Sequence, residues 1–221
     1  MPPFHLIDPT RFVVEIVYTL IIVFLCFSIY YKTRDLYDLT KYEGIKYFRI
    51  TFLFFGLAFL FRFLSVLAMM MEITFDIDLS MYIFRILPLV FNGYFSTMAI
   101  LSLTYSLIWK NHEIKHMLVI SNAIAILISV IAFFSRSPVI LIESQAVLLI
   151  LTLIMAFIVY RKSRKISQLF IIYVLFFLFW LANLLALGPR RFLPFEIHTI
   201  FQIISIALIG VIYLKVNKWT M

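Results

Sequence analysis

The residue with the clearest chemical consequence is Arg62, which stands in the uninterrupted apolar run Phe59-Leu60-Phe61-Arg62-Phe63-Leu64. A guanidinium keeps its charge in a protein and presents five donors in a planar fork. In hydrocarbon it costs at least about 2.5 kcal/mol on insertion scales, so it requires a counter-ion, a wet cavity or a route for its stem to the interface. Glu15 and Glu143 are the carboxylates expected at a comparable depth, and Asn92, Asn183, His198 and Gln202 join them there. These seven residues read as one cluster, either a ligand pocket or a structural ion-pair network. As a pocket, it would favour a small anionic or carbonyl-bearing ligand because of its arginine.

A second pattern is His112-Glu113-Ile114-Lys115-His116, an H-E-x-x-H match. On a helix the two imidazoles share one face and hold Zn²⁺, with the glutamate as general base. Here the match fills a short connection between Trp109 and Met117, and the available third ligands, Asp35, Asp38 and Glu43, lie on another loop. His112, Glu113 and His116 are therefore only remote metal candidates, and the expectation is a chain with no cofactor and no enzymatic activity. Cys26 is the single cysteine, which excludes an internal disulfide and a Cys-rich metal site. The last apolar run has no lysine in its middle, which removes a retinal Schiff base.

The elements that must position these groups are set by hydropathy. Of 221 residues, 64% are hydrophobic and 14% charged, too apolar for a water-soluble surface. The apolar runs are continuous over about 20 residues, the length of a membrane helix and not of a barrel strand. Seven such spans are expected, near 12–31, 47–71, 86–109, 117–135, 138–160, 168–187 and 196–214. Pro88 and Pro138 are expected at span starts and Gly188-Pro189 at a span end. The fold class is an all-α integral membrane protein, residues 1–221 as a single seven-helix domain with no soluble domain. The first span is read as a retained helix and not a signal peptide, for lack of a basic leader. The longest connection, about 32–46, contains a turn candidate at Glu43-Gly44.

Charge orients the bundle. Thirteen basic residues fall in the first, third and fifth loops and after the last span, against five on the other side. Cytoplasmic loops collect Lys and Arg, so the N-terminus is expected outside and the C-terminus in the cytoplasm. The net charge of +8 is thereby explained without a nucleic-acid partner. Arg62 would lie about 13 Å from the outer boundary, nine residues back from Met71 at 1.5 Å each. The polar cluster is therefore expected in the outer leaflet of a multi-pass plasma-membrane protein, with membrane lipids as its surroundings.

Two internal likenesses point to a three-plus-one-plus-three duplication. Ile29-Tyr30-Tyr31-Lys32-Thr33-Arg34 resembles Val159-Tyr160-Arg161-Lys162-Ser163-Arg164, and Phe52-Leu53-Phe54-Phe55 resembles Val174-Leu175-Phe176-Phe177. Most spans also show a stripe of small or polar residues for helix contact, as in the first, third, fourth and seventh: Glu15, Thr19 and Cys26; Asn92, Ser96, Ala99 and Ser106; Asn122, Ala125, Ser129 and Ala132; His198, Gln202 and Ser205.

The stretch Tyr37-Asp38-Leu39-Thr40-Lys41-Tyr42-Glu43-Gly44-Ile45-Lys46-Tyr47-Phe48-Arg49, with Phe52 to Phe59 after it, resembles prokaryotic multi-helix membrane proteins and the input domains of seven-helix membrane sensors. The duplicated layout is similar to that of the PQ-loop and SWEET transporter superfamily, although the chain contains no Pro-Gln pair. The first resemblance implies a signal-sensing membrane module; taken with the polar cluster, the expectation is a sensor or receptor-like protein that binds a small ligand or lipid and signals to a separate partner. The second implies a small-solute transporter. A structural or assembly subunit and, remotely, an intramembrane zinc protease complete the alternatives.

Overall fold

The computed structural model describes residues 9–75, 81–109, 117–135, 138–163, 168–187 and 195–220. They form seven helices: α1 Pro9–Thr40, α2 Glu43–Phe75, α3 Met81–Ile108, α4 Met117–Ser135, α5 Pro138–Ser163, α6 Gln168–Leu187 and α7 Phe195–Thr220. No strand occurs among the described residues. Among the described residues five stretches are long and apolar enough to cross a membrane: Phe12–Thr40, Glu43–Leu67, Met117–Ser135, Val139–Arg161 and Glu196–Trp219. A shorter apolar stretch, Phe170–Leu184, lies in α6. Large apolar side chains such as Phe24, Phe134 and Leu214 stand exposed on the outside of the bundle. Water would not tolerate so many of them, whereas lipid does. The chain is a multi-pass helical membrane protein.

Two expectations about element edges are corrected. The stretch 32–46 is not a loop. α1 continues to Thr40, the connection is Lys41-Tyr42, and Glu43 opens α2. No glycine or proline interrupts Lys32 to Thr40, so the helix runs on beyond the apolar segment. It stops where Lys41 adopts φ 51° and returns its N–H to the Tyr37 carbonyl at 2.7 Å, a left-handed C-terminal cap. Glu43 and Gly44 occupy the first turn of α2, where the carboxylate faces the positive end of the helix dipole and pairs with Lys46 at 3.0 Å. Pro88 is the other case. α3 begins at Met81, so this proline sits two turns inside the helix and not at its start.

The helices pack as a ring in the order α1, α2, α3, α5, α6, α7, closed by α7 against α1. α4 lies outside the ring, against α3 and α5. Its buried face is small, with Ser121, Ala125, Ser129 and Ala132 three or four residues apart. Without an apolar driving force between helices in lipid, such residues allow the close approach that dispersion needs.

The ring interior is aromatic. Phe55 of α2 meets Phe176, Phe179 and Trp180 of α6 at ring-centroid distances of 5.5, 5.1 and 4.6 Å. Phe52 lies 5.5 Å from Phe176, and Phe48 lies 6.3 Å from Tyr173. These tilted and edge-on rings join α2 to α6 across the ring and fill it with dry side chains. Along both helices this aromatic layer precedes Arg62 and Asn183, so the polar groups are left at one end of the bundle.

Candidate functional site

Glu15, one and a half turns into α1, faces Arg62 of α2. Arg62 donates Nε to Glu15 Oε1 at 2.9 Å and Nη2 to the same oxygen. Both side chains are almost wholly inside the bundle, 11% and 14% exposed. The other carboxylate oxygen, Oε2, accepts Nε2 of Gln202 on α7 at 3.3 Å. The guanidinium carbon lies 5.7 Å from the ring centroids of both Tyr18 and Phe59, within cation–π range. The third nitrogen of the fork, Nη1, is buried and has no protein acceptor.

Beside this pair lies a cavity of about 80 Å³, lined by residues of α2, α3, α5 and α6. Its polar wall consists of Arg62, Asn92, Ser96, Gln145, Trp180 and Asn183. Its apolar wall includes Phe59, Leu141, Ile142 and Leu184. One water needs about 10–15 Å³ on this measure, so the space suits a few waters or a solute of a few heavy atoms. The indole of Trp180 is 4% exposed, and its Nε1, like Arg62 Nη1, lacks an acceptor. A buried donor left unmatched costs about 1–3 kcal/mol.

The remaining wall is a set of side-chain amides. Gln145 donates Nε2 to Ser96 Oγ, linking α5 to α3. Asn183 gives Nδ2 to the Phe179 carbonyl at 3.0 Å and accepts the Tyr18 hydroxyl at Oδ1, tying α6 to α1. Gly93, one turn before Ser96 on α3, allows the approach of α5. A Cβ there would stand 2.9 Å from Leu141 Cδ1.

Of the residues expected from sequence, Arg62, Glu15, Asn92, Asn183 and Gln202 gather here. His198 is half-buried on α7, one turn before Gln202. Glu143 is not brought in. It stands on the exposed face of α5, and the carboxylate on Arg62 is that of Glu15. The reason is helical phase. Gln145, two residues on and about 200° around the helix, is the residue α5 turns inward. Tyr18, Ser96, Gln145 and Trp180 belong to the site without having been singled out for it. Gln145 had a legible signal, since with Thr152 and Ala156 it forms a small and polar stripe that Glu143 does not share. His112, Glu113 and His116 lie outside the described residues. Among the described residues no group of three metal-ligating side chains comes together.

No family model matches the chain, and no solved structure matches it. Over 219 residues it is 32% identical to a protein of Archaeoglobus fulgidus described as "Uncharacterized protein", a match that covers 96% of this chain and 95% of that one. Likeness over nearly the whole of both chains means that this protein belongs to one family with that archaeal protein.

Proposed function

We propose that the chain is a seven-span sensor or receptor-like protein of the plasma membrane that binds a small ligand in the cavity beside Arg62. The N-terminus of α1 and the cavity face outward, as the basic residues imply, and the opposite, lysine- and arginine-rich end meets a separate signalling partner. One observation carries this reading: Arg62 and Trp180, whose buried Nη1 and Nε1 have no protein acceptor, both line a single cavity. The aromatic layer from Phe48 to Trp180 favours access from one end only, which suits a receptor. Since the wall is drawn from four helices, a ligand would favour one arrangement of them over another and so transmit its presence.

The test is a thermal-shift screen of small oxygen-bearing compounds on purified protein. A ligand of the native state raises the melting temperature by mass action. Ile142→Phe narrows the cavity without touching the ion pair, and should abolish any such shift. A screen in which no compound separates wild type from Ile142→Phe would defeat the proposal.

A second reading, a small-solute transporter, is favoured by a specific pattern. Under a duplication in which α1, α2 and α3 correspond to α5, α6 and α7, the α3–α5 contact is the counterpart of α7–α1, and both are present. Burial repeats too. Thr19, Ile22 and Cys26 match Leu149, Thr152 and Ala156; Phe52, Phe55 and Phe59 match Tyr173, Phe176 and Trp180; Ser96, Ala99 and Leu103 match Gln202, Ser205 and Ile209, all buried. The register for α2 and α6 is one residue away from the one the Phe-rich likeness implies, a rotation of about 100°. The cavity is walled by α2 and α3 of one half and α5 and α6 of the other, and transporters with internal repeats place their substrates at that boundary. Saturable uptake into proteoliposomes would support this reading. Thiol labelling that reaches cysteines placed beside Arg62 from one side only would count against it.

A further inference from the structure

We propose that the cavity is built for a neutral molecule bearing an amide-like C=O and N–H, and not for an ion. This rests on the reading of the cavity as a ligand site and names what it takes.

Charge is the first argument. Among the described residues of the cavity wall the charged side chain is Arg62, and it is already matched by Glu15. An anion entering would leave one negative charge in excess in a low-dielectric space, and burying an unmatched charge is the most expensive event available there. A neutral guest carrying a carbonyl leaves that balance undisturbed.

The wall chemistry is the second argument. Asn92, Gln145 and Asn183 supply three primary amides, each with acceptor and donor capacity. Gln145 spends an N–H on Ser96 and retains an oxygen that can accept from a ligand N–H. A ligand with both kinds of group meets both kinds on the wall, which an ion or a hydrocarbon cannot do.

The third argument is the comparison of the two halves. In the register set by burial, Gln145 stands where the first half has Glu15, Asn183 where it has Arg62, and Ser96 where the second half has Gln202. The Glu15–Gln202 bond and the Gln145–Ser96 bond are then counterparts. One half holds a charged pair. The other holds the neutral amides Gln145 and Asn183 at the matching positions, and both line the cavity. Amides in place of charges suit a guest that is itself uncharged.

The chain has three tryptophans, so an indole ¹⁵N–¹H spectrum of the labelled protein in detergent has three resonances, and Trp180→Phe assigns one. Acetamide and sodium acetate, of nearly equal size but one neutral and the other anionic, are titrated separately to high millimolar concentration. The expected result is a saturable shift of the Trp180 resonance with acetamide, at least tenfold weaker with acetate, with Trp109 and Trp219 unmoved and the shift absent in Ile142→Phe. A shift with acetate equal to or stronger than that with acetamide overturns the neutral-ligand inference and leaves the cavity a ligand site. Three resolved resonances unmoved by either compound mean that the space holds water only, and both readings fall.

Discussion

Arg62 of α2 and Glu15 of α1, 47 residues apart in sequence, share one carboxylate oxygen, Oε1, with two guanidinium nitrogens, and leave the third nitrogen turned to no protein acceptor. The pair fastens the first two helices of the ring and supplies the cavity with its strongest donor. Under the proposed function, structural and ligand-binding roles are divided within one side chain.

Removing one partner should be far worse than removing both. Arg62→Leu or Glu15→Leu leaves a buried charge alone and should cost about 3–5 kcal/mol, whereas the double variant should recover much of that loss. Glu143→Leu, on the exposed face of α5, should be close to neutral. Melting temperatures of the four proteins in one detergent check this, and equal losses at Glu15 and Glu143 would contradict the pairing.

The close approach of α1 and α2 depends on Gly56. A Cβ there would lie 3.3 Å from Cys26 Cβ and 3.4 Å from Phe27 Cζ. Gly56→Val should overpack this contact and destabilise by about 1–3 kcal/mol. Cys26→Ala removes only a sulfur from the same contact and should not restore stability fully, because the Cβ atoms remain opposed. Thermal unfolding of the single and double variants is the measurement.

Lys41 pays for the α1–α2 turn with a left-handed backbone conformation, φ 51°. Its side chain makes an exposed 3.4 Å contact with Asp38 and stands 5.6 Å from the centroid of the Tyr37 ring, and at so exposed a site both contribute little. Lys41→Gly should therefore stabilise the protein by about 1 kcal/mol. A fall in melting temperature would show that the lysine side chain matters more than the backbone strain.

Cys26 is fully buried and is the single cysteine of the chain. A maleimide should label the protein only through opening, at a rate proportional to the population of the open state when reclosing outpaces modification. Labelling then reports stability, and Arg62→Leu should accelerate it many-fold. Rapid labelling of the wild type would place Cys26 outside the core.

The sequence by itself determined the solvent and the secondary structure. A chain with 64% hydrophobic residues in runs of membrane length must satisfy its backbone within helices, because lipid supplies no hydrogen bonds. It also determined that Arg62 needs company, because a lone guanidinium in hydrocarbon is too costly to leave bare. Which carboxylate answers it was decided only in three dimensions. Glu15 and Glu143 are equally placed along their helices, but packing of α1 against α2 and α7 turns Glu15 inward, while α5 turns Gln145 inward and Glu143 out. The exclusion of α4 from the ring and the meeting of Trp180 with Arg62, Asn92 and Gln145 around one cavity were decided in the same way. Composition and periodicity act along one helix, whereas a site assembled from four helices depends on their relative rotation, which is set by side chains far apart in sequence.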